Sequence, residues 1–279
     1  MLCPSAFPRR AHGRQRRSPR APRAPSRETR KDSRMSVHEE PTFTVPLSLP
    51  TQRKLQVALF VCPGFFLPDN IGLQTVFGVL PNVDLHLVWK NRDEIKGIPR
   101  FTTRATTTFS DCPEVLDILH VPAIPPHVME DEESLAFLAE YGGRAAWLSG
   151  VCAGSLMLGA AGLLEGYRAT TNFHLHDQLA YYGAIPIKGN VVEDRNRITS
   201  GPVSGGFDLA LRLLGRLWGD EIARECELDM EYAPEPPYGT GRPELAGPAL
   251  TERSMQRMAP LIEETRQVGI RASRRLGIA

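Results

Sequence analysis

Cys152, set in Leu148-Ser149-Gly150-Val151-Cys152-Ala153-Gly154-Ser155-Leu156, is the side chain best placed in this sequence to act as a nucleophile. Apolar residues lead up to it from Ala145, and a small-residue apolar segment follows it to Leu164, so the stretch reads as strand, tight turn and helix. Gly150 and Gly154 let the backbone bend and pack strand against helix, which sets the sulfur at the carboxyl edge of a sheet and at a helix N-terminus. There the helix dipole and free N–H groups favour thiolate over thiol. The competing role for any cysteine is that of a small buried hydrophobe, and Cys3, Cys62, Cys112 and Cys226 are candidates for it.

Asp69 is the acid that could serve this sulfur. It closes the loop Cys62-Pro63-Gly64-Phe65-Phe66-Leu67-Pro68-Asp69-Asn70, which follows a buried first strand, Leu55 to Val61. Asp69 or Asn70 would cap a helix running through Val79; alternatively, Asp69 faces the same crevice as Cys152 from the carboxyl end of its strand. His174 and His176 stand two apart, a spacing that argues against a paired metal site, although His176 could line the crevice. Gly201-Pro202-Val203-Ser204-Gly205-Gly206 has neither a dinucleotide fingerprint nor a Walker lysine, so it reads as close packing beside the crevice, with Gly201 and Ser204 as lining candidates.

The remaining elements alternate. Val83 to Trp89 is a strand, and Thr102 to Thr108 is hairpin or edge structure. Val115 to Pro122 is a central strand, and a helix with acids in its first turn starts at Glu130. Tyr167 to Asp177 passes from a short strand into a helix. Val191 to Asp194 and Arg197 to Ser200 form a hairpin around an Asp-Arg-Asn turn. Helices follow from Leu209 to Trp218, from Asp220 to Met230 and, after a proline-rich linker, from Leu250 to Leu276.

With 279 residues and 42% hydrophobic content, the chain can bury a full core. No run is long and apolar enough to cross a bilayer, which gives no reason to expect a membrane partner. Five cysteines without regular spacing argue against a disulfide framework and fit a reducing, cytoplasmic location. Residues 1–34 hold eleven of the 33 Lys and Arg but two of the 32 acids, leaving an acidic body of 22 basic and 30 acidic residues. That balance argues against nucleic acid as a partner outside the tail. The tail has too little to bury, so residues 1–54 are expected to be a disordered basic extension and lead-in, with Met35 the favoured true start.

Taken together, the chain resembles the DJ-1/PfpI superfamily and, within it, the isonitrile hydratases. The resemblance runs from about Leu55 to Pro237. It is carried by the Pro63-to-Asp69 loop, Val83-Asp84-Leu85-His86-Leu87-Val88-Trp89-Lys90, Val151-Cys152-Ala153-Gly154-Ser155-Leu156, Gly159-Ala160-Ala161-Gly162-Leu163-Leu164, Arg168-Ala169-Thr170-Thr171 and Glu231-Tyr232-Ala233-Pro234. It implies an α/β fold, a flavodoxin-like three-layer sandwich of the class I glutamine amidotransferase-like type over residues 55–237, with 238–279 as linker and C-terminal helix. It also implies a homodimer that acts on a small molecule without metal or organic cofactor. Cys152 would be the nucleophile and Asp69 the general acid/base.

Three positions depart from the family pattern. Ala153 follows the nucleophile where the hydratases typically carry threonine, which keeps the backbone N–H for oxyanion stabilisation and loses the hydroxyl. Pro122-Ala123-Ile124-Pro125-Pro126 replaces a Pro-Gly-Gly loop and removes N–H donors. Asn172 stands where members often have histidine. A drier, more apolar pocket follows, and with it a rival expectation: an enzyme repurposed for another lyase, hydratase or cyclase step in natural-product biosynthesis. Glyoxalase activity is disfavoured by the missing histidines. A ligand or redox sensor built on Cys152 is the non-enzymatic alternative.

Overall fold

The computed structural model describes residues 53–278, so the expected extension before residue 53 lies outside the described residues. β1 (Leu55–Phe60) buries every residue except Gln56. Its alternate side chains serve different cores: Val57 and Leu59 belong to one apolar cluster, Ala58 and Phe60 to the other. A strand that is apolar on both faces needs cover on both, and this is why the chain forms three layers.

α1 (Leu67–Gly78) follows. It starts earlier than expected, because Pro68 suits the first turn, where a missing N–H costs nothing. Phe66 is the N-cap and no side chain caps the helix, so neither Asp69 nor Asn70 has the capping role. β2 (Val83–Trp89) matches its expected bounds. The threonine-rich run divides between a small hairpin, β3 (Glu94–Gly97) with β4 (Phe101–Arg104), and an edge strand, β5 (Thr107–Thr108). β6 (Ile118–Val121) leads through a 3-10 turn, Pro126–Glu130, to α2 (Glu132–Arg144), which Asp131 caps by accepting from the Ser134 N–H at 2.8 Å.

β7 (Trp147–Val151) and α3 (Gly154–Ala160) flank the cysteine. β8 (Arg168–Ala169) pairs with β9 (Ile185–Pro186) around a 3-10 helix, His176–Tyr182, where the sequence reads as a short strand passing into a helix. β10 (Val191–Asp194) and β11 (Arg197–Ser200) form the expected antiparallel hairpin. α4 (Ser204–Trp218), α5 (Asp220–Asp229), a short α6 (Pro243–Ala246) and α7 (Pro248–Leu276) complete the chain.

The main sheet has seven strands in the order β10-β11-β7-β6-β1-β2-β5, parallel except for the β10–β11 pair. α1, α4 and α5 supply the core on one face, and α2, α3 and part of α7 supply it on the other. α1 and α4 cross where Gly72 meets Gly206: a β-carbon on Gly72 would lie 2.3 Å from the Gly206 carbonyl carbon. This close crossing brings the loop before α4 up to the first turn of α1. α7 docks by Val268, Gly269 and Ala272, with Arg271 paired to Glu130 and Gln178 Nε2 donating to the Ile262 carbonyl at 2.8 Å. Among the described residues, no helix is long and apolar enough to cross a membrane.

Candidate active site

Cys152 sits between β7 and α3 with φ +55°, a left-handed conformation that β-carbon-bearing residues rarely adopt. Such a bend persists only where its surroundings hold it. Here the Cys152 N–H donates to the Ser200 carbonyl at 3.0 Å, and its own carbonyl accepts from Thr171 Oγ1 at 2.5 Å. The turn also needs its glycines. A β-carbon on Gly154 would lie 2.0 Å from the Val121 carbonyl oxygen, and one on Gly150 would lie 3.0 Å from Ser155 Cα. The sharp strand-to-helix turn is the elbow that the Gly-x-Cys-x-Gly spacing predicts. The sulfur accepts from Asn172 Nδ2 at 3.2 Å and lies against the Ala153 N–H.

Asp69 is fully buried in the first turn of α1. Its Oδ1 accepts from the Val203 N–H at 2.9 Å and its Oδ2 from the Ala123 N–H at 3.1 Å. The one N–H that the Pro122-Ala123 loop keeps beside this acid is therefore spent on Asp69. Val203 has φ +56°, and for a β-branched residue that conformation costs about 1–3 kcal/mol. Its N–H bond to Asp69 and the Gly206 N–H bond to its carbonyl, 2.9 Å, hold it there.

Behind Asp69 lies a residue that the sequence reading passed over. His120 is fully buried on β6 with Nε2 3.2 Å from the Asp69 backbone carbonyl and Nδ1 2.7 Å from Ser149 Oγ. A carbonyl only accepts, so Nε2 carries the proton and Nδ1 accepts from the serine. Burial pushes the imidazole down to about 4, which keeps it neutral. The available signal was polar residues at matched positions of two apolar strands, His120 opposite Ser149.

The electrostatics reverse one expectation. Burial, reinforced by the negative charge of Asp69, pushes the Cys152 thiol up to about 12, and the hydrogen bonds from the Ala153 N–H and Asn172 only partly oppose this. Desolvation and the neighbouring carboxylate thus outweigh the donors at the start of α3, and the resting sulfur is a thiol rather than a thiolate. Burial also raises Asp69, to about 6, against the two backbone donors that favour its charged form. At neutral pH the pair is thiol plus carboxylate.

The structure gathers Cys152, Asp69, Gly150, Ala153 and Asn172 at one edge of the sheet. Gly201 borders it through the preceding Ser200, while Ser204 is exposed and uses its backbone carbonyl to accept from the Tyr232 hydroxyl at 3.2 Å. The residue of that loop with a direct role at the acid is Val203. His176 turns its Nδ1 to Asp177 at 3.2 Å and buries an unpartnered Nε2; among the described residues no hydrogen bond ties it to Cys152. His174 turns away as well, to Ser254 Oγ at 3.0 Å.

A family model described as the DJ-1/PfpI family matches residues 56–216. The chain belongs to the DJ-1/PfpI family. Among its relatives is the isonitrile hydratase of Pseudomonas putida, 40% identical over 227 residues that cover 80% of this chain and 99% of that protein. A solved ThiJ/PfpI family protein from Pseudomonas syringae superposes with a TM-score of 0.77 at 33% identity, covering 84% of this chain and all but 1% of the other. Drosophila melanogaster DJ-1beta shares the fold at 18% identity and a TM-score of 0.56, over 65% of this chain and 100% of its own. The flavodoxin-like DJ-1/PfpI sandwich is thus the fold of this chain, and α7 lies beyond the stretch that the family model matches.

Proposed function

We propose that this DJ-1/PfpI protein is a cysteine-dependent isonitrile hydratase that converts R–N≡C and water into the N-substituted formamide R–NH–CHO. The observation that carries the reading is a thiol on a strained elbow within electrostatic reach of a buried carboxylate, in a chain that is 40% identical to a named isonitrile hydratase across nearly all of that relative.

Asp69 takes the thiol proton as sulfur attacks the terminal isonitrile carbon, and the same proton passes to that carbon. The product of this addition is a thioimidate, Cys152–S–CH=N–R. Water then adds to the carbon while the nitrogen gains a proton, and the tetrahedral adduct expels the sulfur, which recovers its proton as the formamide leaves. A general base with a pKa near 6 suits this work at neutral pH, because it is ionised yet still basic. Asn172 Nδ2 and the Ala153 N–H hold the sulfur as it gains charge. A small molecule is the partner and a homodimer the assembly that belong to this reading.

Purified protein given a simple alkyl isonitrile should yield the formamide, detected by mass and proton NMR, and Cys152→Ala should yield none. No formamide from the wild-type chain across several alkyl isonitriles would remove the reading. Ala153 favours one second reading, because the hydroxyl typical of the hydratases is absent at that position. On it, the same Cys152–Asp69 pair serves a different lyase, hydratase or cyclase step.

A further inference from the structure

His120 is a fully buried titratable side chain that the reaction above leaves without a task. Core packing does not call for it: β6 is buried along its whole length, Ile118-Leu119-His120-Val121, and an apolar residue would fill the position without the cost of desolvating an imidazole. What the ring does is join the two elements that carry the reacting groups. Its Nδ1 accepts at 2.7 Å from the hydroxyl of Ser149, which stands on β7 three residues before Cys152. Its Nε2–H donates at 3.2 Å to the backbone carbonyl of Asp69, in the first turn of α1. Ser149 and Asp69 are as fully buried as the ring, so water does not compete for either bond.

α1 has no side-chain cap, and its first turn is held by what reaches it from outside. The Phe66 N–H donates to the Ala123 carbonyl at 2.8 Å, the Ala123 N–H donates to Asp69 Oδ2 at 3.1 Å, and His120 donates to the Asp69 carbonyl. The first two bonds run through the Ala123 backbone; of the three, only that of His120 comes from a side chain. α4 closes over the same carbonyl, where a β-carbon on Gly206 would lie 3.2 Å from it. Asp69 is therefore gripped at two places, by His120 at its carbonyl and by the Ala123 and Val203 N–H groups at its carboxylate. Releasing the carbonyl lets the turn shift, and the carboxylate then no longer meets two fixed donors.

We propose that His120 is a positioning residue for the base: it locks the first turn of α1 to the strands of the sheet, so that the Asp69 carboxylate stays between the Ala123 and Val203 N–H groups. The inference rests on the hydratase reading for the task of Asp69 and adds the group that keeps it in register.

The test uses two substitutions that divide the contacts of the ring. Asn carries its amide to the place of Nδ1 and reaches Ser149 but not Asp69, whereas Gln carries its NH2 to the place of Nε2. Titration of Asp69 in the full chain is followed by carboxyl carbon NMR, assigned with Asp69→Asn, beside steady-state rates with a simple alkyl isonitrile. Cys152 and His120 both stay neutral between pH 5 and 8, so the titration there belongs to the acid. In His120→Asn the two N–H bonds that favour the carboxylate weaken, and Asp69 should titrate at a pH higher by about 0.5 or more. kcat should fall about tenfold, with KM within about twofold, as a small displacement of a catalytic group allows. His120→Gln should return both readings close to those of the wild-type chain. Urea unfolding accompanies each variant. If His120→Asn is unfolded, His120→Leu/Ser149→Ala fills the space without polar atoms at little cost and should show the same two changes.

A histidine with a packing role alone would lower stability and leave the titration in place. The positioning role is overturned if Asp69 in the folded Asn or Leu/Ala variant titrates as in the wild-type chain or at lower pH. It is also overturned if kcat is unchanged there, or if His120→Gln is as impaired as His120→Asn. The NMR titration needs no turnover. If no isonitrile is hydrated, the hydratase reading falls, and a titration shifted by Asn and restored by Gln still supports the hold of His120 on the acid.

Discussion

Val203 and Asp69, separated by 134 positions in the chain, meet through a 2.9 Å hydrogen bond from the valine N–H to Oδ1. A second backbone donor, the Ala123 N–H, occupies Oδ2 at 3.1 Å. The carboxylate is thereby fixed by two N–H groups from opposite sides, and an amide could satisfy only one of them, because its NH2 would face the other donor.

This arrangement gives the acid a visible pH dependence. Asp69 must be ionised to accept the thiol proton, so kcat/KM for isonitrile hydration should rise tenfold per pH step on the acid side and level off above about 6. Stability runs the other way. The folded-state value lies above the unfolded one, so the contribution of this group to the fold is complete below the ordinary carboxylate range and is lost as pH rises through about 6. It amounts to roughly 3 kcal/mol. The difference in unfolding free energy between the wild-type chain and Asp69→Asn, followed by urea unfolding from pH 4 to 8, should shift in favour of the variant by an amount of that order, while its activity falls to background. A pH-independent difference would show that Asp69 is ionised throughout.

The protonated sulfur makes a second expectation. With the thiol held near 12 by burial and by the Asp69 charge, its thiolate fraction at neutral pH lies about a thousandfold below that of an ordinary cysteine. The greater nucleophilicity of a more basic thiolate returns part of this, so iodoacetamide should alkylate Cys152 roughly 50-fold more slowly than a free thiol at pH 7.5. Peptide mass mapping would follow the site. Asp69→Asn should accelerate the reaction by removing the negative charge, and Asn172→Leu should slow it by removing the donor at 3.2 Å. Rapid alkylation at neutral pH, unchanged in either variant, would contradict a thiol–carboxylate pair.

Gly72 is where packing and chemistry join. A β-carbon there would meet the Gly206 backbone at 2.3 Å, so Gly72→Ala must push α1 from α4. That should cost about 1–3 kcal/mol of stability and should also draw Val203 from Asp69, lowering kcat/KM more than tenfold. Gly143→Ala in α2 meets nothing within 4 Å and should instead stabilise the chain by about 0.5–1 kcal/mol with activity unchanged. Urea unfolding and steady-state rates would read both. A fully active Gly72→Ala variant would refute the link between the helix crossing and the acid.

The sequence by itself determined the elements whose signal is local. β2 is legible because its residue types suit a strand, and the β10–β11 hairpin is legible from its turn. The elbow shows in two glycines around a cysteine, and α4 and α7 show in long apolar-periodic runs. For Asp69 it left two roles open, a helix cap or a place facing Cys152, the second because strand ends in a parallel sheet share one edge, and the pairing itself came from the family resemblance. The start of α1 and the 3-10 helix at His176–Tyr182 were less legible, since a proline in a first turn and a short helix under α7 take their form from what packs on them.

Only the tertiary structure decided the protonation of the pair, the partners of the Asp69 oxygens and the place of His120 behind them. Each depends on desolvation and on backbone donors brought in from distant parts of the chain, and no local pattern encodes either. The dipole of α3 argued for a thiolate, and burial beside a carboxylate outweighed it.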